Sequence, residues 1–195
     1  LAYEALKDLL AMHEMRLSLG KAENEAKANF INQQKSDGSL RLPWIGDVEA
    51  RCDAFTLKAN HVLISLRAMA KLFYPDTIKT KWIDSLLTMA MTKYGPNHVL
   101  TETLKTVSPF MFVVMSTRNS VEHPDPPRMC VRVTDFEFLS DMKIAPPMIE
   151  VAHPTSPIPR MPVGAFMLQF IEGLVTSVEL FIAALCHSNA PNRGP

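Results

Sequence analysis

The sequence predicts an all-α fold, an antiparallel helical bundle with a small β-hairpin insertion before the last helix. Three observations predict it. Apolar residues recur at three- and four-residue spacing through most of the chain, the signature of helices with one buried face. That texture breaks at Met129 into a short run of alternation rich in Val, Thr and Phe, which favours strand. It resumes at Val163 with an almost uncharged stretch long enough for a central helix. With 195 residues, the chain has material for a single domain spanning 1–195, the segment 128–162 being its insertion.

Residues 1–34 read as a helix with Ala2, Leu6, Leu9, Leu10, His13 and Leu17 toward one face. Ser36–Ser39 is a turn by composition. Pro43 and Trp44 follow in a short irregular piece, where Trp44 is expected to pin against the bundle. A second helix spans 47–74, with Asp47 as N-cap, Phe55, Ala59, Val62, Leu63, Leu66 and Ala70 as its stripe, and Pro75 as its stop. A third fits 76–94, capped by Asp76 and closed by Gly95-Pro96, with Ile78, Trp82, Leu86 and Met89 inward. A fourth covers 97–118 along Leu100, Leu104, Val107, Met111 and Val114. Pro109 lies within it, so a kink is expected there or a restart capped by Ser108.

Two extended segments, Met129–Leu139 and Ile144–His153, are expected to pair as a hairpin around a turn at Ser140–Lys143. Two strands alone are marginal, so they must lean on the helices or on a second subunit. Residues 154–162 contain four prolines and read as a rigid link. The last helix, 163–187, presents Phe166, Phe170, Ile171, Leu174, Val178, Phe181, Ile182 and Leu185, and Asn189–Pro195 is expected to fray. Only Glu172 and Glu179 are charged within Val163–Leu185, a length that could span a bilayer. Two carboxylates in lipid and no flanking basic cluster favour a buried helix of a non-membrane protein.

Composition narrows function. Lys and Arg number 20 and Asp and Glu 20, so net charge gives no attraction to polyanions, and nucleic acid contact needs a local patch. Cys52, Cys130 and Cys186 lie far apart, without the close pairs of a zinc site or the even count of a disulfide framework, which fits a reducing, cytoplasmic setting. No glycine-rich phosphate loop, HExxH, CxxC or GxSxG is present, so no cofactor and no metal are expected.

One stretch carries chemistry. Met111, Val114 and Arg118 follow helical spacing, so Arg118 prolongs an apolar stripe, and a guanidinium there needs a partner or a task. Asn119, Glu122 and His123 stand beside it. Arg118-Asn-Ser-Val-Glu-His123 resembles the R-x4-H motif of the HEPN (higher eukaryote and prokaryote nucleotide-binding) domain family, in which the residue after Arg is commonly Asn. The resemblance covers about residues 47–123 and, more loosely, the last helix. It implies an all-α homodimer in which the Arg ends a long helix, the His lies just beyond, and two motifs face one cleft. It also implies a metal-independent RNA endonuclease, a toxin or phage-defence effector with an antitoxin or regulatory protein as partner. Arg118, Asn119 and His123 would then be catalytic. Its chemistry is coherent: a histidine can move a proton near neutral pH, and a guanidinium can neutralise phosphorane charge.

The competing reading is a catalytically inactive interaction or nucleotide-binding scaffold, in which Arg118 pairs with Glu122 and His123 ends the helix. A third is an α-helical ligand pocket lined by Trp82, Phe110 and Phe112.

Overall fold

The apolar periodicity becomes five helices in a computed structural model that describes residues 1–37, 42–78, 81–139 and 143–190. They are α1 (Ala2–Asp37), α2 (Val48–Phe73), α3 (Trp82–Tyr94), α4 (Val99–Glu122) and α5 (Val163–Asn189). Five short strands lie between α4 and α5: β1 (Cys130–Thr134), β2 (Glu137–Phe138), β3 (Ile144–Ala145), β4 (Met148–Ala152) and β5 (Ile158–Pro162). The fold is the mostly helical bundle with a strand insertion that the sequence predicts. The turn at Ser36–Ser39, the turn at Ser140–Lys143 and the frayed end after Asn189 fall partly outside the described residues.

α1 runs antiparallel to both α2 and α5. Asp8 and Ser18 of α1 meet Lys58 and Arg51 of α2, so sequence order reverses along the pair. Leu1 and Ala2 share a surface with Ile182 and Leu185, and Gly20 shares one with Gly164, which sets α1 against α5 in the same sense. Phe110 of α4 lies against Gly173 of α5, where a Cβ would come within 2.5 Å of the ring. The small residue is what allows that close approach.

α5 is the centre. It packs on α4, α1 and α2 and buries Phe166, Phe170, Leu174 and Phe181. Phe55, Phe166, Phe170 and Phe110 form a chain of tilted and edge-on rings with centroids 5.9, 4.3 and 5.6 Å apart. Trp82 meets Phe181 edge-on at 6.1 Å. These offset geometries suit the ring quadrupoles and add to area burial. Leu63, Leu66, Leu104 and Val114 are buried as their stripes predict. Among the described residues α5 is also the one helix long and apolar enough to cross a membrane, and its buried face is spent on its helical neighbours.

Four local expectations are corrected. The face of α1 is read out of phase: Ala5, Leu9, Met12 and Leu19 are buried, whereas Leu6, Leu10 and Leu17 are exposed. Trp44 does not pin to the bundle. It is 75% exposed and folds back over Gly46, whose φ of +86° is open to glycine. α3 starts at Trp82, not at Asp76, so its cap position is Lys81. Ser108 does not restart α4, which continues through Pro109, the Ser108 hydroxyl donating to the Leu104 carbonyl.

The insertion is larger than a hairpin. β1 and β4 pair antiparallel from Cys130↔Ala152 to Thr134↔Met148, and β2 and β3 extend the same arm. The second half of the proline-rich link, from Ile158, is strand β5, one edge of a three-stranded sheet ordered β1-β4-β5. Prolines are tolerated there because an edge strand need not donate every N–H, and the register slips between Ile149 and Val151. The sheet leans on its own chain: Val131 and Val133 pack on the core, and the Val163 N–H donates to the Pro147 carbonyl at 2.9 Å.

Candidate functional site

The apolar stripe of α4 ends in a run of small hydroxyl residues that hold the last turns. Thr117 and Ser120 are buried and donate back to the carbonyls of Val113 (2.9 Å) and Ser116 (3.0 Å). Ser120 also reaches the Ala152 carbonyl of β4 at 3.4 Å, tying the helix end to the sheet. The helix runs one turn past the expected stop, to Glu122, and His123 is its C-cap with φ −132° and ψ 60°. The His123 N–H donates to the Asn119 carbonyl at 2.9 Å, and Pro124 prevents continuation.

Arg118, Asn119 and His123 therefore share the last turn and a half of α4. The Arg118 side chain is 32% exposed and forms an ion pair with Glu122, one turn on. Its Nη1 donates to Asn119 Oδ1 at 3.3 Å, while its Nε is buried without a hydrogen-bond partner. Asn119 is half-buried and His123 exposed. No side-chain hydrogen bond or ion pair holds the His123 ring among the described residues. The geometry is an open helix end, with a guanidinium held between Asn119 and Glu122 and an exposed histidine at the C-cap. It is not a closed pocket: a cavity of about 740 Å³ among the described residues lies at Arg16, Gly20, Asn24 and Gly164 instead.

Two carboxylates are at odds with anion binding: Glu122, which already occupies part of the Arg118 fork, and the exposed Asp125, two residues past His123. Arg128, at the base of the sheet, is exposed and without an ion-pair partner among the described residues, so it is a free cation in the strand-side approach to the helix end.

The other chemistry-bearing side chains serve the fold. His98 accepts the Leu100 N–H on Nδ1 at 3.2 Å as N-cap of α4 and stacks on Tyr94 at 4.4 Å. Tyr74 meets the Tyr94 hydroxyl at 3.3 Å and accepts from Asn189 at 3.0 Å, joining three helix ends. Burial, with the Tyr94 contact, pushes the Tyr74 hydroxyl up to about 12. Burial likewise pushes the Cys52 thiol up to about 12, which removes it as a nucleophile. All three cysteines are free thiols. No group of three or more His, Cys, Asp or Glu that could hold a metal ion exists among the described residues.

The aromatic pocket reading fails on geometry. Trp82 is sealed against Phe181, Phe110 is wedged on Gly173, and Phe112 faces solvent. Sequence reading missed Asp135, whose carboxylate accepts the N–H groups of Ile45 (2.9 Å), Gly46 (3.1 Å) and Phe136 (2.8 Å) and so clips the segment before α2 to the insertion. Nothing local in the sequence announces a contact across that separation. No known protein family, curated protein or solved structure matches this chain.

Proposed function

We propose that the chain is a metal-independent RNA endonuclease of HEPN type, acting as a homodimer in a reducing, cytoplasmic setting, with Arg118, Asn119 and His123 as its reacting and orienting groups. One observation carries the reading. At the end of α4 an exposed histidine with no side-chain partner follows, one turn on, a guanidinium that is bonded to Asn119.

In this reading His123 takes the proton of a ribose 2′-hydroxyl. The 2′-oxygen attacks the adjacent phosphorus, and Arg118 neutralises the charge that builds on the phosphorane oxygens. The P–O5′ bond breaks, the 5′-oxygen takes a proton from solvent water, and His123 returns its proton to the hydroxide so formed. The products are a 2′,3′-cyclic phosphate and a 5′-hydroxyl. Asn119 orients the guanidinium or the scissile phosphate. Phosphate must displace Glu122 from Arg118, a switch of anionic partner on one fork. A self-damaging activity of this kind fits a toxin or phage-defence effector, restrained by an antitoxin or regulatory partner.

The Arg118–Glu122 pair favours a second reading, an inactive interaction or nucleotide-binding scaffold in which the motif only finishes a helix. Glu122→Ala separates the two. If Arg118 serves phosphate, freeing it raises cleavage and leaves the melting temperature nearly unchanged, since such i,i+4 pairs contribute only about 0.3–0.5 kcal/mol. If the pair exists to hold the helix, Glu122→Ala and Arg118→Ala both lower the melting temperature, and no variant cleaves RNA.

A further inference from the structure

The cavity of about 740 Å³ lies between the middle of α1 and the start of α5, with Arg16, Gly20 and Asn24 on one side and Gly164 on the other. Its volume is that of a small-molecule site. Three of its features have no explanation within the chain.

The first is a charge. Arg16 is half-buried, and its guanidinium makes no hydrogen bond or ion pair among the described residues. Its Nε is buried without an acceptor, a loss that only a group from outside the chain would make good. The two carboxylates in the cavity wall are already matched, Glu23 with Lys27 at 4.0 Å and Glu25 with Lys21 at 3.8 Å. Arg16 is left as the uncompensated charge. The second feature is a space. Gly20 lies inside α1, where glycine weakens a helix relative to alanine. A Cβ there would meet nothing within 4 Å, so no neighbour needs the room, and the same holds at Gly164. The third is a helix start. α5 begins with neither a side-chain cap nor an acidic residue in its first turn. The Val163 N–H is taken by the Pro147 carbonyl, and Gly164 supplies the next donor of a turn whose N–H groups lack partners within the helix.

We infer that this cavity binds a small organic phosphate, with the phosphate between the Arg16 guanidinium and the first turn of α5 and the body along Gly20 and Asn24. The donors select the headgroup. An arginine fork, the Asn24 amide and the α5 backbone offer more than the two oxygens of a carboxylate accept, and they suit the three of a phosphate monoester. Volume selects the body, because a bare ion would leave most of the space empty. Leu17 and Ala28 give that body an apolar wall. The site does not rest on the RNA reading, since neither Arg118 nor His123 lines it.

Amide and arginine Nε–H resonances of the full chain test it by titration at constant ionic strength. The probes are glucose 6-phosphate, inorganic phosphate and glucuronate, which keeps the ring and exchanges phosphate for carboxylate. The Gly164 N–H and Arg16 Nε–H signals should shift together and saturate, at the lowest concentration for glucose 6-phosphate and at a higher one for the other two. Arg16→Gln should weaken binding by about tenfold or more and melt no lower than wild type, because no partner in the chain is lost. Gly20→Leu should abolish binding of the sugar phosphate without lowering the melting temperature, since the space is open and leucine favours helix. No saturation at these two signals with millimolar phosphate of either kind overturns the inference. So does glucuronate binding as tightly as glucose 6-phosphate, a sugar phosphate no tighter than the inorganic ion, or binding indifferent to Arg16→Gln or Gly20→Leu.

Discussion

Arg118 shows how far single residues can be read. Its place on the stripe of Met111 and Val114 predicts a half-buried guanidinium at a helix end, and its side chain is 32% exposed. Glu122 as a partner is legible too, since it lies one turn away on the same face. The orphaned Nε is not, because its burial depends on tertiary packing that spacing along one helix does not report. Two other residues carry sharp expectations. A methyl group at Gly173 would enter the Phe110 ring, so Gly173→Ala should lose about 1–2 kcal/mol in a denaturant titration, with the helix propensity of alanine offsetting only part of the overlap. Glu23 is held above the ordinary carboxylate value of 4.5, first by burial and then by Asp135, with Lys27 opposing. A raised carboxyl favours its protonated form in the folded state, so its charged form weakens the fold as pH climbs above about 4.5. Glu23→Gln should match wild-type melting near pH 3.5 and melt higher at pH 7. An unchanged difference between the two pH values would contradict that assignment.

At the scale of elements, type was legible and phase was not always. The four helices α2 to α5 follow their stripes because each has one continuous apolar face and a clear stop, such as Pro75 or Gly95-Pro96. Leu66, wholly buried on α2, should lose about 2–5 kcal/mol on truncation to Ala, measured by the same titration. α1 misleads because it has two apolar stripes one residue apart, and periodicity alone cannot say which faces the core. Leu6, Leu10 and Leu17 remain at the surface while Ala5, Leu9, Met12 and Leu19 pack inward. β5 was read as a link because four prolines outweigh Ile158 and Met161 in any local reading, and only the free edge of β4 makes a strand possible there. Asp135 joins elements that the sequence leaves unconnected. Removing its carboxylate frees three backbone N–H groups, so Asp135→Ala should cost about 1–3 kcal/mol and speed amide exchange at Ile45 and Gly46 before it affects α2.

The whole molecule is a bundle wrapped on α5, with a strand arm closing the end where α4 stops. That arm puts β4 behind Ser120 and leaves Asn119 and His123 toward solvent, which is why the motif is a surface and not a cavity. The R-x4-H spacing could be read from the chain, but the openness of the helix end could not, since it is set by where the insertion folds. The proposed activity follows from that openness together with the chemistry of the three side chains. The direct test is a digestion of end-labelled single-stranded RNA in EDTA with wild type, Arg118→Ala and His123→Ala, each first checked for an unchanged melting temperature. Wild type should release fragments ending in 2′,3′-cyclic phosphate and leave 2′-deoxy substrates intact, and each substitution should slow release by about 100-fold or more. RNA left intact by the wild type, or cleaved equally by both variants, would contradict the assignment of Arg118 and His123 to catalysis.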